Sequence, residues 1–203
     1  MTHRIVRGLV AALSLALPAT VGAQAQPTQA EVESLQKAIM AGIHPRAEHA
    51  RLARLEGTWD MEIRMWSEPG AQPSLSRGTA TNRMILGGRF LLSESAGGEG
   101  EMRMESMTIL GFDGRNEWYT AAGYDNWGTY HVAAQGGFDE ARNAIVMHGS
   151  DTIVKGNHTQ TWDFVLRTVD DDTYVWEIIF TDPWHTKGGP PFRMVEITYR
   201  RRS

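Results

Sequence analysis

The sequence predicts an all-β protein, an antiparallel up-and-down barrel of about ten strands preceded by one or two N-terminal helices. Two observations support this prediction. After residue 57, apolar and polar residues alternate with the period of a β-strand, and Gly, Asn and Asp recur at the spacing of hairpin turns. No later segment has the pattern of a crossover helix, so neighbouring strands are expected to run antiparallel. Closure into a barrel leaves no exposed sheet edge.

The first 23 residues have the pattern of a secretory signal peptide. Arg4 and Arg7 precede a short apolar run, residues 8–17, and small residues then suit a cleavage site at either Ala23 or Ala25. The apolar run is too short to span a bilayer. We therefore assign residues 1–23 to a signal peptide and expect a periplasmic or secreted protein with no membrane span.

Residues 24–56 are assigned to a leader and the N-terminal helices. Thr28 and Glu31 have the spacing of a capping box, in which each residue accepts a hydrogen bond from the other's backbone amide, and apolar residues at helical spacing follow as far as Gly42. Pro45 suits the first position of a second helix because its fixed φ matches helical geometry. Leu52 gives this second helix an apolar edge.

Residues 57–203 are assigned to the barrel. The predicted strands cover residues 58–67, 75–86, 89–96, 101–112, 116–124, 127–135, 143–149, 159–168, 173–182 and 191–201. Turns are expected at Pro69-Gly70, Asp113-Gly114, Gly136-Gly137 and Asp170-Asp171-Asp172. In the first strand Trp59, Met61 and Ile63 share one face, and we expect this apolar face to point into the barrel.

Composition argues against several classes of partner. The chain has a formal net charge of -4, and loss of Arg4 and Arg7 with the signal peptide leaves the mature protein at about -6. A mildly acidic surface disfavours nucleic acid as a partner. The chain has no cysteine, so we expect no disulfide framework despite the predicted export.

The predicted interior is rich in aromatic and methionine side chains. Trp162, Trp176 and Met61 all fall on predicted inner faces, and such a lining suits a small apolar or aromatic ligand. Barrels of eight strands already have room for one small ligand. The alternative is a solid core in which these side chains fill the barrel completely.

The two ends of the barrel sequence resemble a known arrangement. Gly57-Thr58-Trp59 opens the first strand, and Arg200 and Arg201 close the last. This resembles the closed end of lipocalins and their calycin relatives, where an arginine of the last strand covers a tryptophan of the first. The resemblance implies a cation held over an indole face, sealing that end of the barrel.

A longer stretch of the chain is similar to a bacterial calycin-like family of unknown function. The pattern is Leu-x-Gly-x-Trp, Gly-Gly-Arg-Phe-Leu and Glu-Ile-x-Tyr, and the matching segments span roughly residues 47–203. They are Leu55–Trp59, Pro69-Gly70, Leu86–Leu91, Gly111–Asp113, Tyr124–Thr129 and Glu196–Arg201. The resemblance implies a ten-strand lipocalin-like barrel. It brings no established activity and therefore no catalytic residue.

Three polar residues are candidates for orienting a ligand. Arg89 enters a strand beside large apolar residues, where its planar fork would hold a ligand carboxylate or form a structural ion pair with Glu94 or Asp125. Tyr124 and Asn126 belong to a polar turn that would either line the barrel mouth or satisfy the local backbone.

Histidines are the strongest candidates for chemistry. His131 and His148 fall on or beside neighbouring predicted strands, and if both point inward they would meet as an acid–base pair or as ligands of a metal or haem iron. The alternative is that both are ordinary polar residues. No metal-binding or haem-attachment motif is present, so we assign no metal ligand and no cofactor. His185 and Trp184, in the long loop before the last strand, would contact a ligand if that loop covers the mouth.

These observations favour an exported barrel that binds a small, largely apolar or aromatic molecule in its interior, with Arg89, Tyr124, Asn126, His131, His148, Trp162 and Trp176 around it. One alternative is an enzyme, an isomerase, cyclase or lyase, that uses a His/Asp acid–base pair in the same cavity. Others are a haem- or metal-binding barrel and an interaction module that binds a partner through its first helix. The sequence leaves the oligomeric state open.

Overall fold

A closed antiparallel barrel forms the body of the protein. The computed structural model describes residues 26–153 and 157–202, so the predicted signal peptide lies outside the described residues. The strands are β1 (Gly57–Met65), β2 (Ser74–Ile85), β3 (Phe90–Gly97), β4 (Met104–Asp113), β5 (Trp118–Asp125), β6 (Val132–Asp139), β7 (Ala144–Ile153), β8 (His158–Asp170), β9 (Thr173–Phe180) and β10 (Phe192–Arg201). Each strand pairs with the next along the chain, and β10 pairs with β1 to close the barrel. The predicted fold class is confirmed.

Two helices precede the barrel. Helix α1 (Gln29–Ala41) begins with the predicted capping box, in which the Thr28 side chain accepts from the Glu31 amide and the Glu31 carboxylate accepts from the Thr28 amide. Helix α2 (Ala47–Ala53) begins after Arg46, slightly later than the Pro45 start that the sequence suggested. No helix within the described residues is long and apolar enough to cross a membrane.

The barrel has one end with short turns and one end with long loops. Turns of two to four residues, at 86–89, 114–117, 140–143 and 171–172, join the strands at the first end, which we call the closed end. Helix α2 packs against β3 and β4 at this end and buries His49 and Leu52. At the other end, which we call the open end, connections such as 66–73 and 181–191 are longer.

The closed end has the contact that the calycin resemblance implied. The guanidinium of Arg201 lies 4.2 Å from the ring centroid of Trp59, and the Trp59 indole donates to the Leu55 carbonyl at 3.0 Å. The Trp59 ring also meets Tyr174 edge-on, with 4.7 Å between the ring centroids. A partly buried cation over an indole face is attracted by the ring quadrupole, so these contacts stabilise the seal.

The inner faces follow the predicted alternation in β1, β8, β9 and β10. One continuous core joins the apolar residues of these strands, namely Trp59, Met61, Ile63, Trp162, Phe164, Leu166, Tyr174, Trp176, Ile178, Val195, Ile197 and Tyr199. The hydrophobic interior is thus built from strands at both ends of the chain, which only barrel closure brings together.

Strand β6 differs from its prediction. Residues 127–131 lie in an open-end loop, and Gly136-Gly137, expected to form a turn, lies inside β6 instead. A Cβ atom on Gly136 would lie 2.0 Å from the Val146 carbonyl oxygen on β7, so the glycine is needed where two backbones approach closely. The predicted turn at Gly136-Gly137 is therefore wrong, because glycine also occurs where two strands pack closely.

We expect Gly136→Ala to lower the free energy of unfolding by about 1–3 kcal/mol, because the added methyl group collides with backbone that cannot move aside easily. Urea denaturation followed by circular dichroism measures this change. Gly137→Ala is the matched control, since a Cβ there meets nothing within 4 Å. Equal stability of the two variants would contradict the register of β6 and β7.

Candidate functional site

An internal cavity of about 150 Å³ lies inside the barrel. It extends from Leu55 and Asn82, near the closed end, to Ser95, Ser106 and Asp125, near the open end. The cavity is therefore a lined hollow within the closed sheet, and its lining defines the candidate functional site.

Most of the cavity wall is apolar. Strands β1, β3, β4, β8, β9 and β10 contribute aliphatic and aromatic side chains to it, and Leu55, which follows α2, forms the floor. The apolar lining residues include Leu55, Met61, Leu91, Leu110, Phe164, Leu166, Trp176, Ile178 and Ile197. Such a wall favours the binding of an apolar molecule. Each Å² of apolar surface removed from water stabilises the bound state by about 25 cal/mol.

One part of the wall carries hydroxyl groups. Ser93 on β3 lies opposite Thr108 on β4, and Ser95 lies opposite Ser106, so four hydroxyl side chains form one patch on two neighbouring strands. The Oγ atoms of Ser95 and Ser106 are 2.7 Å apart. Gly123 on β5 stands opposite Thr108 and leaves space beside it. The sequence analysis did not predict this hydroxyl patch. Small polar residues at positions expected to face inward were the pattern that could have indicated it.

The inner end of the cavity holds a buried polar group. The Nδ2 atom of Asn82 donates to the Leu55 carbonyl at 2.9 Å and to the Tyr174 hydroxyl at 3.0 Å. The Oδ1 atom of Asn82 is buried and has no hydrogen-bond partner within the described residues. The Tyr174 ring stacks on Tyr199, with 4.2 Å between the centroids. Burial raises the pKa of the Tyr174 and Tyr199 hydroxyls well above the usual range, so both stay neutral.

Charge is nearly absent from the lining. Within the described residues, Asp125 is the only residue with a charged side chain that lines the cavity, and it lies towards the open end. One Asp125 carboxylate oxygen accepts from the Trp127 amide at 2.9 Å and from the Gly128 amide at 3.2 Å. This carboxylate therefore holds the turn after β5.

Comparison with known proteins identifies the family. Residues 44–201 match the family described as proteins of unknown function, DUF1579. The chain belongs to the DUF1579 family. The match includes α2 and all ten strands, so the barrel with its covering helix is the part that this protein shares with DUF1579, and α1 lies outside it. No curated protein matches the chain.

Two of the residues predicted to bind a ligand lie at the cavity of this DUF1579 protein. Trp176 lines it, and its ring lies 5.2 Å from that of Phe164. Tyr124 borders the cavity, but it follows the inward Gly123, and its exposed ring stacks on that of His131. Trp162 is buried in the core against Gly149 and does not line the cavity.

The two predicted histidines do not meet inside the barrel. His131 is exposed and precedes β6, while His148 is exposed on β7 with its Nδ1 atom 2.6 Å from Asp163 Oδ1. The outward orientation of His148 has a simple cause. The inner face of β7 belongs to Ile145 and Met147, and His148 follows directly with the opposite orientation.

Arg89 and Asn126 do not line the cavity. The Arg89 guanidinium donates to the carbonyls of Leu86 at 3.2 Å and Ile43 at 2.8 Å, so it fastens the segment between α1 and α2 to the closed end. Its partners are backbone oxygens, not the carboxylates considered from the sequence. Asn126 exchanges hydrogen bonds with the backbone of Arg103 and Glu105 and extends the β4–β5 pairing.

The loop before β10 is held by a buried carboxylate. Asp182 accepts from the amides of Trp184 and His185, which begins the short helix α3 (Pro183–Thr186), and its Oδ2 lies 2.7 Å from His185 Nδ1. Burial of Asp182 opposes its ionisation, but the hydrogen bonds from His185 and the backbone outweigh this and lower the pKa of the carboxyl. The His185 ring stacks on Phe180, while Trp184 is exposed. Neither His185 nor Trp184 lines the cavity.

Potential metal ligands are scattered. Across residues 26–153 and 157–202, no group of three or more His, Cys, Asp or Glu side chains is placed to hold a metal ion. The cavity lining offers apolar contact and hydrogen bonds from hydroxyl and amide groups, with the Asp125 carboxylate towards the open end.

Proposed function

We propose that this DUF1579 protein is an exported, lipocalin-like barrel that binds a small, largely apolar or aromatic molecule in its interior. The observation that carries the proposal is the cavity, which combines an apolar wall with a few polar groups. Ligand sites in proteins commonly have this composition. The contact between Arg201 and Trp59 supports the calycin relationship, and the N-terminal sequence pattern supports export.

The size of the cavity limits the ligand. A volume of about 150 Å³ is well below that of sites for drug-sized molecules, which have about 300–1,000 Å³. An engineered apolar cavity of about 150 Å³ in another protein binds benzene. We therefore propose a ligand of about the size of benzene or phenol, with roughly six to eight non-hydrogen atoms.

The interior gives less support to an enzyme or a haem protein. An acid–base mechanism needs a titratable group within reach of the substrate. No histidine of the described residues lines the cavity, and its one carboxylate, Asp125, already accepts two backbone amides. Haem is also much larger than the cavity. Binding is thus the function that the described geometry supports best.

Mass spectrometry of small molecules extracted from natively purified protein tests the proposal. We expect the folded protein to retain one small neutral compound through extensive washing, and protein unfolded before the wash to retain none. A folded protein that retains nothing, and that also takes up no member of a panel of single-ring aromatic compounds, would contradict the proposal.

A further inference from the structure

The orientation of the Asn82 amide is fixed by its neighbours. A backbone carbonyl can only accept a hydrogen bond, so the Asn82 atom 2.9 Å from the Leu55 oxygen must be the nitrogen, Nδ2. The oxygen, Oδ1, is therefore the atom left without a partner within the described residues. The reversed amide would set two acceptors, Oδ1 and the Leu55 carbonyl oxygen, against each other.

An unpartnered acceptor in this position is unusual. Asn82 is only 3% exposed, and a buried polar group without a hydrogen bond destabilises a folded protein. Asn82 also lines the cavity, at its inner end, so the buried oxygen belongs to a side chain that borders the space for a guest. A guest that carries a hydroxyl or N–H group would supply the missing hydrogen.

The neighbouring Tyr174 adds the complementary group. Its hydroxyl oxygen accepts from Asn82 Nδ2, and none of the hydrogen bonds within the described residues uses its own hydrogen. Tyr174 lines the cavity as well. Asn82 and Tyr174 thus offer one acceptor and one donor side by side, which matches a hydroxyl or a carboxamide, since each of these both donates and accepts.

The surroundings exclude a charged group at this end. Asp125, the charged residue of the described lining, lies towards the open end, and no basic side chain lines the cavity in the described part of the chain. A carboxylate or ammonium group beside Asn82 would lose its hydration without gaining a counter-charge, which is strongly unfavourable.

From these contacts we infer, on the basis of the proposed function, that the guest is a neutral molecule with a hydroxyl or carboxamide group at its inner end, and that Asn82 selects it. Because Oδ1 is buried, the guest reaches it through a small side-chain movement at this end of the cavity. Asn82 Oδ1 then accepts the hydrogen of the guest, and the Tyr174 hydroxyl donates to the guest's oxygen. The apolar body of the guest lies against Trp176 and Leu91.

Titrations with phenol and with toluene test this inference. The two probes have nearly the same size, and only phenol carries a hydroxyl group. Methyl NMR spectra of ¹³C-labelled protein report binding through the methyl groups of Met61, Leu91 and Ile197, which line the cavity. We expect the wild-type protein to bind phenol about tenfold more tightly than toluene. This ratio corresponds to the net free energy of one or two buried hydrogen bonds, which only phenol can form.

Asn82→Leu should reverse this preference, so that toluene binds more tightly than phenol. In an apolar pocket the phenol hydroxyl loses its hydrogen bonds to water and gains none in return. The Leu55 carbonyl keeps its hydrogen bond from Trp59 in this variant. Tyr174→Phe, which leaves the Asn82–Leu55 hydrogen bond in place, should reduce the preference and provides a second test if Asn82→Leu does not fold. Asn116→Leu, in the exposed turn between β4 and β5, is the matched control and should keep the wild-type preference.

The outcomes separate the inference from the proposed function. Equal affinities of phenol and toluene for the wild-type protein, or a preference that survives in both Asn82→Leu and Tyr174→Phe, would overturn the selection by Asn82 while leaving an apolar binding site. Failure of both probes to bind would overturn the inference, and if the native protein also retains no small molecule and binds no other single-ring compound, the proposed function is overturned as well.

Discussion

Replacing Trp59 with alanine is expected to lower the free energy of unfolding by about 3–5 kcal/mol. Trp59 is 1% exposed and connects three parts of the closed end: its ring meets Tyr174, its indole nitrogen donates to Leu55, and Arg201 covers its face. Alanine removes all three contacts and leaves a large cavity at the point where β1 and β10 close the barrel.

Chemical denaturation of the purified protein measures this loss. Trp184→Ala is the matched control because Trp184 is 69% exposed, and we expect it to change the stability by no more than about 0.5 kcal/mol. If Trp59→Ala were no more destabilising than Trp184→Ala, the contacts of Trp59 with Tyr174, Leu55 and Arg201 would not stabilise the barrel.

Replacing Thr108 with phenylalanine is expected to lower the affinity for the aromatic probe by more than about tenfold. The probe is phenol or toluene, whichever binds the wild-type protein more tightly. Thr108 lines the cavity on β4, opposite Ser93 and Gly123. A phenyl ring at this position occupies much of the 150 Å³ that the probe needs. Filling the hollow with an apolar group should leave the fold intact, although some overpacking strain of about 1–3 kcal/mol is expected.

The control for this variant is Thr81→Phe, which adds the same ring on the exposed outer face of β2. We expect wild-type affinity for the probe in this control. The methyl NMR titration measures both affinities, and the spectra also report whether each variant is folded. Undiminished binding by a folded Thr108→Phe variant would mean that the probe binds elsewhere.

The sequence alone predicts the barrel and its closed end well, for physical reasons. The alternation of apolar and polar residues in β1 assigns its inner face directly, and Trp59 with Arg201 marks the seal because this contact needs only one residue from each terminal strand. Long, strongly patterned strands leave little choice of register, since a shift by one residue would turn every apolar side chain outward.

Other features depend on information that is not local. In β7, Ala144 and Val146 are buried on the outer face beside Val165, so the apolar residues of this strand do not alternate and the orientation of His148 could not be read from them. In β6, glycine has a packing role that resembles a turn signal. The unpartnered oxygen of Asn82 depends on Leu55 and Tyr174, which come from distant parts of the chain.

The most direct test of the account is a crystal structure of the purified protein under xenon pressure, because xenon enters small apolar cavities that are otherwise dry. We expect xenon density inside the barrel, beside Leu91, Trp176 and Ile197. A barrel that admits no xenon, with side chains filling the space between Leu55 and Asp125, would contradict it.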